Sequence, residues 1–217
     1  MTFTKSMINR VASFMKDRGF HSKNKFFYKI NNDIAFCIEF DYPGSLLYVT
    51  FYILPLYLPA NTRYYTYGNR LNSLSLKPLP DIHADVSEKQ KIYWVQSFEE
   101  AIDEFVLPYF QKICNPSALA DACSDNNGIQ TYMNCPTIQK ARLLLHTYAF
   151  LQNLDAFRKA EKSMHAEIDK CSFLSSDILA KYQAEIVMLK QVFSLSQDEL
   201  LTYKKNIIEA TIKSCFG

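Results

Sequence analysis

Glycine is scarce in this sequence, and the short motifs that build most nucleotide and phosphate sites are missing. Five glycines occur among 217 residues, and none belongs to a Gly-x-Gly-x-x-Gly, Walker A or Gly-x-Ser-x-Gly sequence. The four histidines form no His-Glu-x-x-His sequence, and the six cysteines form no Cys-x-x-Cys pair. These absences argue against the common nucleotide-dependent, serine-hydrolase and zinc-dependent activities, so we predict neither a cofactor nor a metal site.

The sequence also lacks a strong charge bias and a long uninterrupted apolar run. Lysine and arginine number 24 against 22 aspartates and glutamates, and this net charge of +2 gives no support for nucleic-acid binding. The most apolar stretch is broken by Pro55 and Pro59, whereas a membrane helix needs about 20 apolar residues. The N-terminus carries charges where a signal peptide is apolar, and the widely spaced cysteines indicate reduced thiols. We therefore expect a cytoplasmic protein that binds neither nucleic acid nor membrane.

Aromatic residues make up 14% of the chain, and many lie in a predicted β-hairpin between Asp33 and Pro59. Apolar residues alternate along both halves of this stretch, which is typical of strands with a buried face. They are Ile34, Phe36, Ile38 and Phe40 in the first half, and Leu47, Val49, Phe51 and Ile53 in the second. Between the two halves, Pro43 and Gly44 have the conformational preferences of a turn.

An amphipathic helix and a further strand are predicted before the hairpin. Residues 4–18 repeat apolar side chains at helical spacing, and Gly19 followed by Phe20 is typical of a helix C-terminus. Residues 25–30 alternate as a strand, and an Asn-Asn-Asp turn then leads into the hairpin. We therefore predict a helix packed on a three-stranded antiparallel meander.

The pattern is less regular between the hairpin and residue 125. Residues 92–95 (IYWV) favour a short strand, and Ser97 with Glu100 forms a capping box that predicts a helix start. Pro108 should kink this helix or start a new one, because proline removes a helical hydrogen bond. Asn115-Pro116 predicts a further short helix.

Only helical patterns follow the polar stretch at residues 124–134. Four predicted helices start near Pro136, Asn153, Ser176 and Ser196, and two antiparallel pairs would bury their apolar faces. The predicted fold class is therefore α+β, with a helix-backed antiparallel β-sheet followed by a C-terminal α-helical hairpin bundle. The predicted domains are residues 1–125 and residues 135–217.

Two N-terminal runs carry a family resemblance, namely MINRVASFMKDRGFHSKNKFFYKINNDIAFCIEFD and FEEAIDEFVLPYFQKICNPSAL. Together they resemble a bacterial family known as domain of unknown function 4304, with Leu107, Pro108, Tyr109 and Phe110 at the centre of a family helix. The resemblance spans the predicted domain 1–125 and departs from the family near Glu39, where a glutamine is usual. It brings no catalytic residue. It implies an α+β domain whose relatives include suspected binding or immunity modules.

A second resemblance concerns the run ARLLLHTYAFLQNLDAFRKAEKSM in the C-terminal part. This run is similar to one tetratricopeptide-type helical hairpin. The residues near the repeat positions are Ala141, Leu144, Tyr148, Ala149 and Ala160. An array of such repeats needs about three copies at a period of about 34 residues, so the sequence predicts a helical hairpin and not a solenoid.

One short segment is the candidate binding surface. Tyr64, Tyr65, Tyr67 and Arg70 have the composition that is enriched in protein-interface hot spots. The same residues could instead form a lid over the second face of the hairpin, with their hydroxyls in solvent. We keep them as candidate binding residues and predict no catalytic residue.

The leading functional prediction is a non-enzymatic, cytoplasmic protein-interaction module, immunity-like or regulatory, with another protein as its partner. The alternative is a hydrolase-like enzyme with an unrecognised site. Such a site would use Cys37 as a nucleophile or the polar alternation of Asp81, His83 and Asp85. A buried apolar thiol and a solvated loop next to two prolines are the simpler interpretations of these residues.

Overall fold

The computed structural model describes residues 2–59, 67–74, 78–124, 137–171 and 175–217. The chain divides into two compact units. The described parts of the first unit are residues 2–54, 67–74 and 78–114, and the second unit contains the remaining described residues. The ends of the two predicted domains, at residues 125 and 135, lie outside the described residues.

The first unit contains a five-stranded antiparallel sheet, which confirms the α+β fold class. Each strand neighbours the next one along the chain, in the order β1-β2-β3-β4-β5. The strands are β1 (His21–Lys23), β2 (Phe26–Asn31), β3 (Ile34–Asp41), β4 (Tyr48–Pro55) and β5 (Tyr67–Arg70). The predicted meander is the centre of this sheet. The short strands β1 and β5 extend it at both edges.

Strands β3 and β4 carry the hydrophobic core because side chains on both of their faces are buried. The predicted apolar face packs on aromatic residues of the helices that follow the sheet. The ring of Phe36 stacks on Phe110 with centroids 4.5 Å apart, and Phe51 meets Tyr109 edge-on at 5.3 Å. Phe40 contacts Phe98 at 5.6 Å. Such pairs add to the free energy gained from burying their area.

Helix α1 (Phe3–Asp17) begins one residue before the predicted range and has the predicted glycine end. The hydroxyl of Thr2 accepts the backbone N–H of Lys5 at the N-terminus. At the C-terminus, Gly19 has a φ of 80°, and the N–H of Phe20 donates to the carbonyl of Met15. This is the Schellman arrangement that only glycine adopts without strain.

Helix α2 (Glu88–Ala101) corrects two predictions. The segment IYWV lies inside this helix and forms no strand, and the helix begins at Glu88, well before the start predicted at Ser97. Its capping box is formed by Ser87 and Gln90. The strand preference of IYWV is overridden because Trp94 anchors the helix in the core, where only 1% of its surface is exposed.

The break expected at Pro108 takes the form of a π-helical turn, Ile102–Val106, which leads into α3 (Leu107–Lys112). Proline has no N–H and its ring crowds the carbonyl four residues earlier, so the wider turn before it accommodates the ring. Helix α3 then places Tyr109 and Phe110 against the sheet.

The second unit is helical where the structure describes it, apart from its connecting segments. Its helices are α4 (Pro116–Ser124), α5 (Thr137–Phe150), α6 (Leu154–Lys170), α7 (Ser176–Gln191) and α8 (Gln197–Phe216). The predicted caps are present, because Asn115 accepts from Ala118, Asn153 from Ala156, and Ser196 forms a capping box with Glu199. Helices α5 and α6 form the predicted hairpin.

The core of this unit is a cluster of apolar residues from α5, α6 and α7. Its most enclosed members include Leu145, Phe157, Met164 and Leu189. The apolar face predicted for the fourth helix is only partly buried in α8, where Leu201 is 60% exposed. The fourth helix therefore buries fewer apolar side chains than its sequence suggests.

None of the helices in the described part of the chain combines the length and the apolar character that crossing a membrane demands.

Candidate functional site

The predicted tyrosine segment is described only in part. Tyr64 and Tyr65 lie outside the described residues, and Tyr67 is described by its backbone, which pairs with Ile53 in β4. Arg70 ends β5, and its guanidinium carbon lies 4.5 Å from the centre of the Tyr48 ring. The prediction that Tyr64, Tyr65, Tyr67 and Arg70 form one binding surface stays a prediction.

The residues of the enzyme alternative occupy unlike environments. Cys37 lies in the interior of β3 with 0% of its surface exposed. Asp81, His83 and Asp85 are exposed in the irregular segment before α2, so their alternation does not correspond to one face of a strand. Among the described residues, no three histidine, cysteine, aspartate or glutamate side chains are grouped as metal ligands.

A small groove beside α2 is a candidate site that the sequence analysis did not identify. Its volume is about 140 Å³. One wall is the segment before α2, where two prolines restrict the backbone. The other wall is one face of α2, at positions i, i+3, i+4 and i+7. The lining residues are Pro78, Pro80, Tyr93, Gln96, Ser97 and Glu100. We call this feature the α2 groove.

The packing of α2 explains why this face is available. Trp94 and Phe98 point into the core and hold the helix against the first unit's interior, with their rings stacked 5.5 Å apart. The neighbouring positions are left outside, so that Tyr93 is 61% exposed and Ile92 is 53% exposed. Large apolar side chains exposed side by side are one mark of an interaction surface.

The size of the α2 groove limits what it can bind. Pockets for cofactors and drug-sized ligands occupy about 300 to 1,000 Å³. A cavity of about 150 Å³ holds a molecule the size of benzene. At about 140 Å³, the α2 groove therefore matches one amino-acid side chain, and it is too small for a nucleotide.

The second unit contains a charged cluster that the sequence analysis also missed. Arg142 of α5 donates two hydrogen bonds to Glu185 of α7, at 2.7 and 2.6 Å. Nε2 of His146, one turn further along α5, lies 2.8 Å from Oε1 of the same carboxylate. The sequence does not distinguish His146 from an ordinary, partly buried helical histidine, because its partner lies 39 residues away.

Burial and pairing act in opposite directions on this cluster. Burial alone would raise the pKa of Glu185, but the hydrogen bonds from His146 and Arg142 outweigh it and hold this pKa at about 2. Burial lowers the pKa of His146, and the positive charge of Arg142 adds to this effect while Glu185 opposes it. The cluster is therefore an ionised Arg–Glu pair with a neutral histidine. Its enclosed position between α5 and α7 suits helix positioning better than ligand binding.

The five described cysteines, Cys37, Cys114, Cys123, Cys171 and Cys215, form no disulfide bond. Comparison of the chain with protein-family models, with curated proteins and with solved structures gives no match. The candidate function therefore has to be argued from the residues of the chain itself.

Proposed function

We propose that this protein is a non-enzymatic protein-interaction module, immunity-like or regulatory, and that α2 presents its recognition surface. The observation that carries the proposal is the exposure of Tyr93, which lines the α2 groove, and of its neighbour Ile92, at 61% and 53%. Tyrosine is enriched in interface hot spots because it buries a large area and keeps a polar hydroxyl.

The shape and chemistry of the α2 groove favour binding over catalysis. The groove is sized for one side chain, and its described lining holds a single carboxylate and no histidine or cysteine. A hydrolase needs a nucleophile or an activated water next to a base. The same proposal includes a cytoplasmic location and the family resemblance to domain of unknown function 4304. It also includes a second binding surface, formed by Tyr64, Tyr65, Tyr67 and Arg70.

The test compares two double variants of the full-length chain. The first removes the α2 surface (Ile92→Ser with Tyr93→Ser). The matched control removes two side chains of similar exposure from the second unit (Val187→Ser with Leu201→Ser), which are 59% and 60% exposed. Each protein is used to capture partners from the lysate of its native cell, and a stoichiometric partner is then purified for calorimetry.

We expect the α2 variant to weaken binding of the purified partner by about 30-fold, the loss typical of one hot-spot residue. The control variant should bind like the wild type. Equal affinity of both variants would place the interaction elsewhere on the chain. The absence of any stoichiometric partner would refute the interaction module itself.

A further inference from the structure

A row of polar side chains joins α5 to α7 in the second unit. Nε2 of Gln139 donates to the hydroxyl of Tyr182 at 2.9 Å. One turn further along α5, Arg142 donates two hydrogen bonds to Glu185. His146 lies one more turn along, with 1% of its side chain exposed and its Nε2 2.8 Å from the same carboxylate. The row therefore includes an enclosed histidine at the contact between two helices.

A proton added to His146 would place a second positive charge in this enclosed contact. The carboxylate that faces its ring is Glu185, which already accepts two hydrogen bonds from Arg142. Burial opposes the charged ring, Arg142 opposes it as well, and Glu185 offsets only part of both effects, so the pKa of His146 is lowered. The ring therefore takes up a proton more readily in water than in the closed contact, and mild acid favours a state in which the contact is open.

The other titratable groups packed around α5 leave this balance unchanged. Glu185 stays ionised in mild acid because its pKa is about 2, and Tyr203 of α8 stays neutral because burial and the charge of Glu185 raise its pKa. The less exposed carboxylates of α6, Glu161 and Glu167, pair with lysines of α7 and α6. The remaining carboxylates of α4, α6 and α7 in the described part of the chain are exposed, namely Asp121, Asp155, Asp169 and Asp177.

Helix α7 has less apolar anchorage than α6, the other long helix packed on α5. It buries two side chains, Ile186 and Leu189. Its start at Ser175 has no side-chain cap among the described residues, whereas Asn153 caps α6. Helix α6 buries four side chains, which are Phe157, Ala160, Met164 and Ile168. Segments with few buried apolar contacts open at low cost in free energy, so an unfavourable charge at the α5–α7 contact is relieved most easily by movement of α7.

We propose that His146 is an acid-sensitive latch, in which one proton on the ring loosens α7 from α5 while α5 and α6 stay paired. The opened state uncovers Ile186 and Leu189, which neighbour the already exposed Val187 and Met188. Acid therefore enlarges the apolar surface of α7, and a change of this kind can alter what the protein binds. This inference goes beyond the proposed function and does not depend on the α2 groove.

The test is hydrogen–deuterium exchange with mass spectrometry on the full-length chain, at about pH 7.5 and about pH 5.5, a window in which histidine titrates and most carboxylates stay ionised. Exchange times are scaled for the effect of pH on the intrinsic exchange rate. Peptides from residues 176–191 and 154–170 report on α7 and α6. If opening returns the ring to the ordinary histidine pKa of 6.5, the opening equilibrium of α7 should rise by up to about tenfold across this window. The α6 peptide should change by less than about twofold.

Two variants assign the response to one ring. His146→Gln can still donate a hydrogen bond to Glu185 but takes up no proton, so α7 should lose its response to acid. The matched control is His165→Gln, which removes an exposed histidine 3.6 Å from Glu161 in α6 and should leave the response unchanged. A nuclear magnetic resonance titration of the histidine rings adds a measurement on the wild type. It should show that His146 protonates below the ordinary histidine pKa of 6.5.

Several outcomes would overturn the latch. An α7 peptide whose exchange does not respond to acid refutes it, and so does an equal response of the α6 and α7 peptides, because the unit then opens as a whole. A response retained by His146→Gln assigns the effect to another group. A His146 ring that protonates at its ordinary pKa or above it removes the reason for opening. The wild-type peptides and the ring titration decide the question even if His146→Gln does not fold.

Discussion

Replacing Glu185 by glutamine should lower the free energy of unfolding by more than the loss of an exposed carboxylate does. Glu185 joins α5 to α7 through Arg142 and His146. Glutamine keeps the shape of the side chain but removes its negative charge. The partly enclosed guanidinium of Arg142 then loses its ion pair with this carboxylate, and removing one partner of an enclosed pair is costly.

The size of the effect follows from the pKa of Glu185. A decrease from 4.5 to about 2 corresponds to about 3 kcal/mol of preference for the ionised carboxylate in the folded protein. The side chain is 15% exposed, so solvent screens part of this energy, and we expect a loss of about 2 kcal/mol at pH 7. Glu161→Gln is the matched control, because Glu161 has the same 15% exposure but pairs with the exposed Lys190. It should cost less than about 1 kcal/mol.

The assay is urea unfolding followed by far-ultraviolet circular dichroism, first at pH 7 and then in acid. The folded pKa of Glu185 lies below its unfolded value, so its contribution is complete above pH 4.5 and is lost as the pH falls toward 2. The difference between wild type and Glu185→Gln should therefore narrow over this range. The wild type also loses stability as the pH falls below about 6.5, because burial lowers the pKa of His146 in the folded protein and the unfolded chain then binds more protons. A loss for Glu185→Gln no larger than that for Glu161→Gln would refute the reasoning.

Three local features give further predictions. The single tryptophan, Trp94, is buried, and its indole N–H has no hydrogen-bond partner among the described residues. Its fluorescence should therefore be blue-shifted in the folded protein, and solvent-like emission before unfolding would contradict its burial. Gly68→Ala should lower the free energy of unfolding by about 1 to 3 kcal/mol in thermal denaturation, because an added Cβ would lie 1.9 Å from the carbonyl oxygen of Phe51. An unchanged unfolding midpoint would show that β5 does not approach β4 this closely. Ser87→Ala should lower the free energy of unfolding by about 1 kcal/mol in the same assay, and Ser97→Ala should lower it by less. A larger loss for Ser97→Ala than for Ser87→Ala would instead support the helix start predicted at Ser97.

Features encoded by neighbouring residues could be predicted from the sequence. Helix α1 with its Gly19 end and the central hairpin depend on spacing and turn residues within short windows, and both were predicted. The start of α2 was not predicted, although Ser87 and Gln90 form as good a capping pattern as Ser97 and Glu100. The aromatic and β-branched character of IYWV hid the helix, because burial of Trp94 determines this element and is a tertiary effect.

The two candidate sites were missed for a different reason. The α2 groove depends on where α2 begins, since that register places Tyr93 and Glu100 on the same face. The Arg142–Glu185 pair joins residues 43 positions apart, and sequence periodicity does not indicate how two helices are aligned. His146 offered one signal in the sequence. It is a polar residue on the inward side of a predicted apolar stripe, and such a residue needs a buried partner.

The π-helical turn at Ile102–Val106 absorbs one extra residue of the chain. A turn of this kind contains one residue more than an α-helix needs for the same rise, so the helix that follows keeps its rotational phase. Deleting a single residue here would therefore give a regular helix that still presents Tyr109 and Phe110 to the sheet. Removing a residue from a regular α-helical turn, in contrast, rotates every residue that follows it by about 100°.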